Sequence, residues 1–170
     1  GGPAVSRLVL VRHAHAGDRG AWVGDDEVRP LSPRGRAQAE ALVDVLGPLL
    51  TGAASIATSP ARRCAETVAP LAAALALPVT TTPALAEGAD VAALRARLAA
   101  VTAPTVWCSH GDVIPALLDR LSHEGVDLGP DPRCRKASTW VLELSAGDVR
   151  TARHLPPPEV PARPAPEPEA

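Results

Sequence analysis

Short apolar runs that stop abruptly at polar or small residues recur along this chain. Leu8-Val9-Leu10-Val11 stops at Arg12-His13-Ala14, and Thr105-Val106-Trp107-Cys108 stops at Ser109-His110-Gly111. A run of this length and composition is the mark of a strand buried on both faces and ending in a loop. The first strand is predicted over 6–11, and further strands over 55–58, 78–82 and 105–109. Between them the spacing turns helical. Ser32-Pro33 is a helix start, with a serine cap and proline at the first position. Ala37, Ala41, Leu42, Val45, Leu46 and Leu49 then fall on one helical face. A second helix is expected over 61–76, kinked or broken at Pro70. Asp90 should cap a third helix through Leu94, Leu98 and Ala99, and a fourth is expected over 113–123, with Pro115 in its first turn. The segments 138–144 and 149–154, joined by Ser145-Ala146-Gly147-Asp148, read as a hairpin.

Strands that alternate with helices predict an α/β fold. The expected architecture is a three-layer α/β/α sandwich with a mostly parallel sheet and an antiparallel edge hairpin. Residues 1–155 form the expected domain. Residues 156–170 are rich in Pro, Ala and Glu and are expected to be a disordered or polyproline tail. Met is absent from the chain, so Gly1-Gly2-Pro3 is taken as a tag remnant or a trimmed end and carries no weight in the fold.

Composition narrows the partners. With 170 residues the chain can bury a full core. It has three Trp and no Phe or Tyr, so it lacks the aromatic platforms that bind single-stranded nucleic acid. A formal net charge of −2 also argues against polymeric nucleic acid, while leaving room for a local pocket that binds a small anion. Three cysteines without a C-x-x-C pair suggest a reducing compartment rather than a disulfide framework. There is no signal-peptide pattern or membrane-length apolar run, so a cytoplasmic location without membrane contact is expected.

In a parallel sheet, ligands bind beyond the carboxyl ends of the strands. The strands ending at Arg12-His13 and at His110 would thus bring two histidines and an arginine to one crevice. That set suits phosphate chemistry, with a nitrogen nucleophile and cations for an anionic substrate.

Three blocks in order, Leu10-Val11-Arg12-His13-Ala14, Ser59-Pro60-Ala61-Arg62-Arg63-Cys64-Ala65-Glu66-Thr67 and Cys108-Ser109-His110-Gly111, resemble the histidine phosphatase superfamily, which includes phosphoglycerate mutases and bacterial phosphohistidine phosphatases. The likeness covers about 6–155. Ala14 stands where the family usually has Gly. The resemblance implies that His13 is the nucleophile that becomes phosphohistidine. It makes Arg12 and Arg63 the binders of the phosphoryl oxygens and His110 a donor to developing charge. Arg63 is preferred over Arg62 because the family's arginine lies four positions after the serine. The start of the helix near Ala61 would add its positive end. A neighbour must fix the tautomer of His13, and its identity stays open. Glu87, within Leu85-Ala86-Glu87-Gly88, is the candidate proton donor, with Asp18 and Asp112 as rivals.

A further block, Trp22-Val23-Gly24-Asp25-Asp26 with Arg29-Pro30-Leu31, resembles the phosphatase domain that follows a Nudix hydrolase domain in some bacterial nucleotide-sanitation proteins. His13-Ala14-His15-Ala16-Gly17 and Arg135-Lys136-Ala137-Ser138-Thr139-Trp140 support that likeness. It covers only the phosphatase half of that architecture. His15 and Lys136 are candidates for the phosphate entrance. The expected activity is a metal-independent, cofactor-free phosphatase. Its substrate would be a small phosphorylated metabolite, a nucleoside di- or triphosphate, or a phosphohistidine protein. Hydrolysis is favoured over mutase chemistry because the chain has few residues to spare for a lid. The alternative is a phosphatase-like docking module for a separate Nudix or signalling protein. Asp25-Asp26 invites a metal reading, but the His and Cys positions lack zinc spacing.

Overall fold

The computed structural model describes residues 5–53 and 55–161. Its strands are β1 (Ser6–Arg12), β2 (Ser55–Thr58), β3 (Val79–Thr81), β4 (Thr105–Ser109), β5 (Thr139–Ser145) and β6 (Asp148–Leu155). Its α-helices are α1 (Pro33–Leu46), α2 (Arg62–Leu75), α3 (Val91–Arg97) and α4 (Val113–His123). The sheet order is β3-β2-β4-β1-β5-β6. β1, β2, β3 and β4 pair in parallel, and β5 joins β1 antiparallel, followed by β6. This is the expected α/β fold with a mostly parallel sheet and an antiparallel hairpin at one edge.

Alternation along the central strand divides the core. Leu8 and Leu10 of β1 pack with Leu94 of α3 and with Ile114, Leu117 and Leu121 of α4. Val9 and Val11 pack on the opposite face with Leu42 and Leu46 of α1 and with Cys64, Val68 and Leu71 of α2. Because successive strand side chains face opposite ways, a continuous apolar run feeds two helical layers at once. β1 and β4 are adjacent and in register, with Val11 opposite Cys108 and Arg12 opposite Ser109. The residues that follow them, His13 and His110, therefore emerge side by side.

Local signals explain the element boundaries. Ser32 accepts from Gly35 N and caps α1, and Asp90 accepts from Ala92 N and Ala93 N to cap α3. Helix α2 runs through Pro70 without the break that was one of the two expected outcomes. The proline removes one hydrogen bond, but buried Val68, Leu71 and Ala72 hold that stretch against the sheet. Gly35 has a different role. A Cβ there would lie 1.9 Å from the backbone oxygen of His15, so only glycine lets α1 start against the loop that follows β1.

The tail begins after β6. Residues 156–161 have no regular structure, yet they lie along the domain and half-bury Pro157, Pro158 and Val160. Proline has little backbone freedom to lose, so laying this stretch on a surface costs little entropy. The disorder expected for 162–170 lies outside the described residues. Among the described residues, no helix is long and apolar enough to cross a membrane.

Candidate active site

His13 is buried, at 4% exposure. Its backbone N donates to Ser109 O at 3.1 Å, tying the loop after β1 to the end of β4. Its ring Nδ1 lies 2.8 Å from Ala14 O. A carbonyl only accepts, so Nδ1 carries the proton and Nε2 keeps its lone pair. The sequence left the holder of this tautomer open; it is a backbone carbonyl one residue away. Ala14 is held in turn, its N donating to Thr67 Oγ1 at 2.9 Å while that hydroxyl donates to Arg63 O at 2.6 Å. Burial lowers the His13 pKa to about 3. The nearby His110, Arg63 and Arg12 push the same way, against the Ala14 hydrogen bond. The ring is therefore neutral throughout the physiological range.

His110 packs edge-on against His13, with ring centroids 5.4 Å apart. Its Nε2 shares a hydrogen bond with Ser59 Oγ at 2.8 Å and has Cys64 Sγ at 3.5 Å. Ser59 Oγ already accepts from Ala61 N, so its own hydrogen is free for His110 Nε2. With Ser59 donating to Nε2, the His110 proton sits on Nδ1. That atom is buried, has no hydrogen-bond partner among the described residues, and lies 3.6 Å from Glu87 Oε1.

The arginines surround this pair. Arg63 is 1% exposed; its Nη2 contacts Glu87 at 2.9 Å and Asp26 at 3.1 Å, and Nη1 donates to Asp26 O at 2.8 Å. Arg62 points away, to Glu66 at 3.3 Å on the exposed side of α2, so the structure separates two residues that compete in the sequence. Arg12 donates from Nη1 to Cys134 O at 2.7 Å. A Cβ at Gly111 would come within 2.6 Å of its Cζ, so Gly111 leaves the space the guanidinium fills. The Nε atoms of Arg12 and Arg63 are buried without partners among the described residues. Buried donors left open in this way are costly unless a ligand satisfies them.

Glu87 is fixed by its neighbours in the chain. Ser109 Oγ donates to Leu85 O at 2.6 Å, and Gly88 N donates to Asp112 Oδ2 at 2.8 Å. Asp112 thereby holds the turn beside Glu87. Asp18 caps a short 3₁₀ turn by accepting from Gly20 N at 2.9 Å. Of the three candidate proton donors, Glu87 alone contacts both Arg63 and the edge of His110. Lys136 joins Arg12, His13, Gly17, Arg19, Arg29, Glu87, Gly111 and Asp112 around a pocket of about 380 Å³. Burial lowers the Lys136 pKa, and the cations Arg12, Arg29 and Arg19 lower it further. His15 does not line this pocket. It faces the adjoining cavity, with Nδ1 2.6 Å from Ser32 Oγ.

Three residues of the site escaped the sequence reading. Asp26 accepts from Arg29 at 3.0 Å and contacts Arg63 and Arg19, and Arg19 also pairs with Glu87. Burial would raise the Asp26 carboxyl, but Arg29, Arg63 and Arg19 outweigh it and hold it below its ordinary value. Asp26 is thus the counter-charge that assembles three arginines. The sequence signals were the Asp25-Asp26 pair and the block from Trp22 to Leu31 that holds Asp26 and Arg29, and in the structure Asp25 caps a 3₁₀ turn.

The family model of the histidine phosphatase superfamily (branch 1) matches residues 8–94. The chain belongs to this superfamily. The expectation of a histidine-phosphatase-type hydrolase is met at the level of family and enzyme class. The 8-oxo-(d)GTP phosphatase of Mycolicibacterium smegmatis is 39% identical over 158 residues, covering 89% of this chain and 48% of that protein. The chain thus spans about half the length of this curated relative. Among solved structures, the protein histidine phosphatase SixA complexed with tungstate superposes with a TM-score of 0.72 at 21% identity, over 85% of this chain and 92% of that one. The putative phosphohistidine phosphatase SixA from Nakamurella multipartitia gives 0.67 at 24% identity, over 90% and 98%. At such identities these two show a shared fold.

Proposed function

We propose that this histidine phosphatase domain hydrolyses a phosphorylated small molecule through a phosphohistidine at His13. The observation that carries this is the neutral His13 ring, protonated at Nδ1 by its bond to Ala14 O, set among buried donors that lack partners.

In the first step His13 Nε2 attacks phosphorus. The N–P bond forms, and the P–O bond to the leaving group breaks with its electron pair on oxygen. Arg12, Arg63 and His110 Nδ1 bind the three equatorial oxygens, where charge is spread in the transition state. Glu87 is the group placed to give a proton to the leaving oxygen and to take one from the water that follows. In the second step that water forms the new P–O bond, the N–P bond breaks back to Nε2, and phosphate leaves. Every group used is a side chain of this domain, so the reaction needs no metal.

Nucleoside di- and triphosphates are the substrates this reading favours. The 39% identity to an 8-oxo-(d)GTP phosphatase supports it, as do the further cations, Arg19, Arg29 and Lys136, that line the same pocket as Arg12 and His13. A phosphohistidine protein is the second substrate reading. The docking-module alternative leaves the buried donor cluster without a purpose.

The test is phosphate release in EDTA from nucleoside di- and triphosphates, sugar phosphates, an aryl phosphate and a phosphohistidine protein, each repeated with His13→Ala. Release from nucleotides that persists in EDTA and disappears in the variant is expected. Release only from the phosphoprotein would move the activity to that substrate. Absence of release from all of them would leave the docking module.

A further inference from the structure

A cavity of about 940 Å³ is lined by residues that neighbour, in the chain, those of the phosphoryl pocket. One wall is His15, Ser32, Arg34 and Gln38 with Arg135; the other is the tail segment from Pro156 to Pro161. Neighbouring residues of the chain line the two concavities. His13 lines one and His15 the other, and Lys136 lines one and Arg135 the other. The 135–137 turn is fastened to the nucleophile strand, because Ala137 N donates to Arg12 O and His13 O, each at 3.1 Å. The wall at Arg135 therefore keeps a fixed position relative to His13.

Its lining changes character with distance from the nucleophile. At the junction, Lys136, Arg34 and Arg29 all act on His15, lowering its pKa after burial, the larger cause. That is a concentration of positive charge, and Arg34 belongs to it without lining the phosphoryl pocket. Beyond it the wall is Pro156, Pro157, Pro158, Val160 and Pro161, with Glu159 as the acidic member. Proline rings and a valine offer a flat apolar surface to a ring system. A volume of this size exceeds what one phosphate needs and lies in the range of small-molecule sites.

We propose that this cavity is the leaving-group site, taking the nucleoside of a nucleoside di- or triphosphate whose terminal phosphoryl sits on His13. The inner phosphates lie at the Lys136–Arg34 junction, and residues 156–161 form a wall of the substrate site. This rests on the nucleotide reading above and adds the place and residues that select it. It also gives the proline-rich segment a role that the composition, read as a tail, does not suggest.

Two full-chain variants test it, Val160→Asp on the apolar wall and Arg34→Ala at the junction. Both positions are at or near the surface and outside the phosphoryl pocket. KM would be measured for adenosine and guanosine diphosphate and, in parallel, for p-nitrophenyl phosphate, whose small leaving group does not reach the wall. The proposal expects KM for both nucleotides to rise roughly tenfold in each variant, with kcat little changed and the aryl phosphate within about twofold. If KM for the two substrate types moves together, or neither moves, the cavity is not the nucleoside site. If the wild-type chain hydrolyses the aryl phosphate through His13 and nucleotides no better, the inference falls and the phosphohistidine chemistry stands. If neither the aryl phosphate nor the nucleotides are hydrolysed, the phosphatase reading itself falls, and the inference with it.

Discussion

At the scale of single residues, His13 joins chemistry to stability. Its ring is neutral in the fold, with a pKa lowered to about 3, but titrates near 6.5 when unfolded. Between these values the unfolded chain binds more protons, so folding stability is complete above pH 6.5 and is lost as pH falls toward 3. By pH 5 the loss from this one group is about 2 kcal/mol. Urea unfolding at pH 7 and pH 5 should show a larger drop for the wild type than for His13→Asn, and equal drops would contradict the buried neutral ring. The same neutrality predicts no His13 limb in the activity profile between pH 5 and 8. Arg63 makes the second test. Arg63→Ala should lower activity by about a hundredfold or more, because a charged donor to a phosphoryl oxygen is removed. It should also cost about 2 kcal/mol, less than a fully buried pair, since Asp26 and Glu87 remain 35% and 41% exposed. Arg62→Ala, which loses only a surface pair with Glu66, should change stability by less than about 1 kcal/mol. Equal effects of the two substitutions would refute the assignment. His13, His110 and Arg12 were legible because each follows or ends a buried strand. The tautomer holder was not, because a backbone carbonyl leaves no mark in a sequence.

At the scale of elements, the apolar runs and caps mark most of the boundaries that the structure shows. β1 and β4 were readable as strands from composition alone, whereas their adjacency came only through the family resemblance and the rules of parallel sheets. Pro70 shows where local signals mislead, since packing of Val68 and Leu71 outweighs the lost hydrogen bond. The loop holding Arg19, Asp26 and Arg29 was opaque for the opposite reason. Its position depends on contacts with Arg63 and Glu87, distant in sequence. Gly35 gives a prediction at this scale. Gly35→Ala drives a methyl into His15 O, and the loop or α1 must move. A loss of about 2–3 kcal/mol is expected, typical of overpacking. A melting temperature equal to that of the wild type would show that the approach is looser than 1.9 Å.

At the scale of the whole molecule, the sheet brings together residues from four separate stretches of chain. β1 supplies Arg12 and His13, α2 supplies Arg63, the turn before α3 supplies Glu87, and β4 supplies His110. The family match over 8–94 ends before His110, so the strand order, rather than the matched span, is what brings the second histidine to the first. The substrate was legible only as a phosphorylated species. The wall that would select it is built partly from 156–161, and nothing local in a proline-rich sequence states what it will pack against. The central claim is that His13 carries the phosphoryl group. The most direct measurement is rapid-quench labelling with a γ-³²P nucleoside triphosphate, followed by acid and alkali treatment of the denatured protein. The account predicts label on the wild-type chain that is stable to alkali, released by acid and absent from His13→Ala. Label that survives acid, or that persists in His13→Ala, would contradict it.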